Sequence, residues 1–163
     1  GVHFPTDVLG GWAIGALILA LYLSTRSGVE GWLASLGIAP QILLALAVPA
    51  VFLVIDPNRE IVQAMSAFAG FGLGLALTHR YLHFNSSGPI WQRAVRFLLG
   101  VVIVAVLYVG LSAVFPGEGE AYYLPFRMLR YGSIGLWISF GAPWLFNLLH
   151  LTSASGTPAR RSS

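Results

Sequence analysis

Of 163 residues, 56% are hydrophobic and only 9% charged, against roughly 25% charged in an ordinary soluble domain. A water-soluble fold of this size has no polar coat to cover so much apolar surface, so lipid is the expected solvent. The net charge of +3 comes entirely from arginine, with no lysine and no cysteine; that excludes a disulfide frame and a thiolate metal site, and no basic run interleaved with aromatics marks a nucleic-acid groove.

The chain opens GVHFPTDVLGGWAIG, with His3 and Asp7 in place of the charged start, short apolar core and small-residue cleavage site of a secretory signal. The opening therefore reads as a cut through a longer protein. About 20 apolar residues cross a bilayer as a helix, and five stretches approach that length: Val8 to Ser24, Gln41 to Ile55, Ile61 to Thr78, Phe97 to Phe115 and Met128 to Leu149. The expected fold class is all-α, a polytopic transmembrane helical bundle of about five transmembrane helices. In the second stretch Pro40 suits a first helical turn, and Pro49 is expected to kink the helix. The breaks STRSGVEGWLASLGIAP, DPNR, HRYLHFNSSGPIWQRAVR and PGEGEAYYLPFR carry turn residues. In the first break, Val29, Trp32, Leu33 and Leu36 share a helical face, which suits a short interfacial helix or an ordered loop anchored by its tryptophan.

Counting arginines by alternate loops places Arg26, Arg80, Arg93, Arg96, Arg160 and Arg161 on one side, and Arg59, Arg127 and Arg130 on the other. The positive-inside rule then puts the C-terminus in the cytoplasm and the His3–Asp7 end outside. Small residues spaced four apart line one face of three spans: Gly11 and Gly15, then Ser66, Gly70 and Gly74, then Gly135 and Ser139. Such faces let helices approach closely where lipid removes the hydrophobic drive to associate. GFGLG at 70–74 lacks the spacing of a nucleotide loop and lies in mid-membrane.

No acid, lysine or histidine lies deep in the first four spans, and Arg130 is near the outer end of the fifth, which argues against an ion or proton pathway. His79 and His83 have the four-residue spacing of a helical metal pair, but no carboxylate is near them in sequence. They read as interfacial histidines, as does His150. Asp56, Glu60, Glu118 and Glu120 could gather around a divalent cation; the preferred reading makes them solvated loop charges or partners of Arg59, Arg127 and Arg130.

His3 and Asp7 remain. An imidazole serves as a covalent nucleophile when a carboxylate fixes its tautomer and stabilises the cation that develops. If Pro5 opens the helix, Asp7 falls in the first turn, and His3 precedes a helix N-terminus whose free N–H groups favour phosphate. Spacing alone leaves open the plainer alternative that Asp7 only caps the helix and His3 rests in the interface.

The run GVHFPTDVLGGWAIG, with Phe4, Pro5, Gly11 and Trp12 flanking the pair, closely resembles the third signature of the type 2 phosphatidic acid phosphatase (PAP2) superfamily, which precedes the last helix of a six-helix bundle. The resemblance implies that His3 is the nucleophile that becomes phosphohistidine and that Asp7 orients it, with no metal or other cofactor. It covers about the first 25 residues. The serine-arginine start of this signature, and the family's lysine-arginine-proline and proline-serine-glycine-histidine signatures, are expected upstream of Gly1, since the chain has no lysine and no Pro-Ser-Gly-His.

The domain reading follows: residues 1–26 as the last helix of a phosphatase domain, 27–150 as a four-helix membrane extension, and 151–163 as a disordered cytoplasmic tail. The expected function is the C-terminal part of a bacterial inner-membrane phosphatase acting on a lipid phosphate or diphosphate, the fragment itself being inactive. The alternative is a non-catalytic membrane scaffold or partner-binding module. Expected partners are membrane lipid, a phosphorylated lipid substrate and a second copy of the chain through the small-residue faces, and not nucleic acid.

Overall fold

The computed structural model describes residues 4–82 and 84–152. Its helices are α1 (Pro5–Ser35), α2 (Ile38–Ile55), α3 (Arg59–Tyr81), α4 (Ile90–Val114), α5 (Tyr123–Leu136) and α6 (Ala142–Leu148), with a π-helical segment, Trp137–Gly141, joining α5 to α6 without a break. There is no strand among the described residues. Helices α1 to α4 are each long and apolar enough to cross a membrane, and the continuous α5–π–α6 run is the fifth pass. The all-α, five-pass architecture is that expected of a multi-pass membrane protein.

The chain divides between Gly37 and Ile38 into two compact units. The first contains one helix, α1, which at 31 residues is roughly 46 Å long, well beyond the ~30 Å hydrocarbon core. The expected break at STRSG is absent, and helix continues through Val29, Trp32 and Leu33. The polar residues there do not compete with the helix. Ser24 and Thr25 return their hydroxyls to the Leu21 carbonyl at 2.9 and 2.8 Å, a bond made within helical geometry.

The second unit is built around α3, which packs on α2, α5 and the π segment. Ser66, Gly70 and Gly74 are buried on its face. The small residues are there because backbone meets backbone: a methyl group added at Gly70 would strike the Gly132 carbonyl, and one at Gly135 would lie 2.7 Å from the Phe71 nitrogen. On the α2 side, a methyl at Gly72 would come within 2.9 Å of the Ala45 Cβ. The faces expected to receive a second copy on α3 and α5 are thus spent on each other. Helix α4 packs on α5 mainly through aromatics, with Phe115 and Phe126 edge to face at 4.8 Å and Tyr108 and Tyr131 at 6.3 Å.

Two prolines sit inside the passes. Pro49 is buried within α2. Pro143 is the second residue of α6, just after the π segment, and it has no N–H to offer the Ser139 carbonyl one turn earlier. The Thr78 hydroxyl donates to that carbonyl instead, at 2.6 Å. A π turn before the proline also gives the ring room that an α turn would deny.

Candidate functional site

Pro5 is the first residue of α1, so Asp7 does fall in the first turn, at the third helical position. Phe4 is the N-cap, in extended conformation, and has no side-chain oxygen to return to the helix. Asp7 Oδ2 accepts the Phe4 backbone N–H at 3.0 Å. This is half of a capping box, and it anchors the chain at the residue adjoining position 3. A carboxylate has about four lone-pair sites, so capping a helix and orienting an imidazole are compatible roles for one aspartate. His3 lies outside the described residues.

In the second unit the ionisable residues collect at two opposite ends. At one end α3 starts, α4 finishes and α5 starts. Arg59 pairs with Glu118 and, at 3.3 Å, with Glu60; Asp56 accepts from Asn58 Nδ2 at 2.8 Å, and Glu120 accepts the Gly117 N–H at 3.2 Å. Arg127 and Arg130 depart from the expectation of acidic partners. Arg127 donates to the Gln63 side-chain oxygen and the Tyr123 hydroxyl, both at 2.6 Å, and Arg130 to the Ser112 hydroxyl. Both guanidiniums lie 5.2 Å from the Tyr131 ring centroid. Neutral acceptors and ring faces hold these cations because they point into the α3–α4–α5 seam, whereas Glu118 and Glu120 belong to the loop beyond it.

At the opposite end the 85–88 loop leads from α3 into α4. Arg96, 6% exposed, donates to the carbonyls of Asn85, Ser86 and Ser87 at 3.2, 2.6 and 3.1 Å, and so one guanidinium fixes the loop. Gly88 has φ 130°, a backbone conformation that residues with a Cβ rarely adopt. An open cleft of about 630 Å³ lies here, lined by Ser86, Ser87, Arg93, Arg96, Phe97 and Phe146 among others. His79 is exposed in the last turn of α3 and His150 is exposed beyond α6, while His83 lies outside the described residues. Among the described residues, no three His, Cys, Asp or Glu side chains converge as metal ligands do.

A model of the PAP2 superfamily phosphatase transmembrane extension matches residues 62–155. The chain belongs to this family. The match starts in the first turn of α3 and takes in α4, α5, the π segment and α6. The PAP2 extension therefore coincides with the part of the second unit that has the close glycine contacts, the Thr78–Ser139 bond and the Arg96 loop clasp. No curated protein and no solved structure matches the chain. Sequence reasoning missed the cleft and the role of Arg96; the only available signal was two arginines three apart following a Ser-Ser-Gly-Pro turn, and their grouping was legible only as orientation charge.

Proposed function

We propose that the chain is the C-terminal part of an integral-membrane PAP2-type phosphatase of the bacterial inner membrane, acting on a lipid phosphate or diphosphate. One observation carries the reading: two parts of the sequence that do not overlap point to one superfamily. Residues 62–155 match the PAP2 transmembrane extension, and the HFPTD run that resembles the catalytic signature lies outside that match. The placement of Asp7 in the first turn of a proline-opened helix supports the same reading.

In the proposed reaction an unprotonated His3 ring nitrogen attacks phosphorus. The N–P bond forms as the P–O bond to the lipid breaks, and the leaving oxygen takes a proton from an acid supplied by the upstream signatures. Asp7 holds the other ring nitrogen and stabilises the charge that develops. Water then attacks phosphorus, the N–P bond breaks, and phosphate leaves. The helix N-terminus ahead of Val8 adds oriented N–H dipoles favourable to the phosphoryl group.

Positive-inside counting puts the Asp7 end of α1 on the outer face. Association of copies through small-residue faces is retained only for Gly11 and Gly15 of α1, because α3 and α5 pack theirs together. The chain by itself lacks the phosphate cradle, and purified in lipid it is expected to release no phosphate from lipid phosphates. Release abolished by His3→Ala would overturn that expectation. The rival reading, a non-catalytic membrane module, draws on the fact that the matched region is the extension; it predicts that a parent chain has neither upstream signature.

A further inference from the structure

The cleft at the junction of the 85–88 loop and α4 carries positive charge that no acid among the described residues of the second unit balances. The four acids of the second unit, Asp56, Glu60, Glu118 and Glu120, all lie at the opposite end. On the cleft side stand Arg80, Arg93 and Arg96. Arg96 is buried, lines the cleft, and is met by carbonyl oxygens and the Phe84 ring at 6.0 Å rather than by any carboxylate. Its three bonds use three of the five N–H donors of a guanidinium. A buried cation without a counter-ion is costly, so the arrangement points to an anion that is supplied from outside the chain.

The lining sorts that anion by chemistry. Arg93 is exposed in the first turn of α4 and lines the same cleft. The α4 N-terminus has no side-chain cap, its N-cap being Pro89, so its positive dipole end adds to the two arginines instead of being neutralised. The other wall is apolar: Phe97, 69% exposed, and Phe146. A small hydrated anion has no use for that wall. A phosphodiester with an acyl chain does, and at the end of a transmembrane helix a lipid is the species at hand.

We propose that this cleft binds the headgroup phosphate of an anionic membrane phospholipid, with Arg93 and Arg96 on the phosphate and Phe97 and Phe146 against the upper acyl chain. The lipid held here is not the proposed phosphatase substrate, and its retention does not depend on turnover.

The whole chain, reconstituted in phosphatidylcholine nanodiscs doped with phosphatidylglycerol, is released into native mass spectrometry and its retained lipids identified. Phosphatidylglycerol is expected to be retained in preference to phosphatidylcholine. Arg93→Gln, at an exposed position, should cut the preference at least about fivefold through loss of a charge-assisted hydrogen bond to the phosphate, while circular dichroism shows unchanged helix content. Arg80→Gln, the same charge removed at the same end but outside the cleft, should leave the preference intact. Equal losses in the two variants would reduce the effect to general surface charge and overturn the site. So would the absence of any preference, or displacement of the lipid by inorganic phosphate alone.

Discussion

The hydroxyl of Thr78 on α3 donates to the carbonyl of Ser139 at 2.6 Å, at the position where Pro143 has withdrawn the helix's own donor. Replacing Thr78 by Val keeps the shape and removes the bond, at an expected cost of about 1 kcal/mol. The two sites should also be coupled. In a Pro143→Ala background the helix can supply the missing N–H, and the Thr78→Val cost should shrink by about 0.5 kcal/mol or more. Unfolding of the four variants in mixed micelles gives the coupling energy; strictly additive costs would mean that the hydroxyl is not a substitute for the proline's missing donor.

A second prediction concerns the α3–α5 seam. Gly70→Val drives a side chain into the Gly132 carbonyl, where backbone rather than a movable side chain must give way, and should destabilise by about 3 kcal/mol. Gly110 on α4 has nothing within 4 Å of an added Cβ, and Gly110→Ala should be neutral or gain up to about 1 kcal/mol in helix propensity. Thermal unfolding followed by circular dichroism distinguishes the two. Equal midpoints would contradict the seam.

The third prediction separates the two roles of Asp7. Asp7→Asn keeps an oxygen for the Phe4 N–H but removes the charge that would stabilise an imidazolium. In a parent chain carrying the upstream signatures, turnover should fall by about 10⁴ while stability changes by less than about 1 kcal/mol. Should turnover fall no further than the folded fraction does, Asp7 would be a cap alone.

The fourth prediction follows from the length of α1. Because that helix is continuous to Ser35, a cut at Ser27 would sever it, whereas a cut after Gly37 removes the extension whole. The parent truncated after Gly37 should keep the chemical step and lose either lipid turnover or its oligomeric size, if the extension shapes lipid access or mediates dimerisation. Unchanged kcat/KM on lipid together with unchanged size in detergent would leave the extension without either role.

How legible all this was in the sequence varied by element. Helices α2 and α3 begin three and two residues before the apolar stretches that announced them, Gln41 and Ile61, at Ile38 and Arg59. Helix α4 begins at Ile90 rather than Phe97. Hydropathy stops at Gln92, Arg93 and Arg96, yet polar side chains at a membrane boundary do not end a helix when they can reach the interface or a loop carbonyl. The STRSG break failed for the related reason that hydroxyls bonded one turn back leave the ladder intact. The small-residue faces were visible as a spacing, but which helix each would meet was not, because GxxxG spacing carries no address. The cleft was illegible altogether, since it depends on the Arg96 side chain folding back on a loop ten residues earlier.

If His3 is the nucleophile proposed above, a phosphoryl group must pass through its ring nitrogen. The most direct measurement is rapid quenching, in alkali, of the parent protein with lipid substrate labelled at phosphorus, followed by peptide mapping of the label. An acid-labile, alkali-stable phosphoryl group on the peptide containing His3, absent in His3→Ala, is the result expected. Turnover of the lipid phosphate with no label on that peptide, or label that persists in His3→Ala, would contradict it.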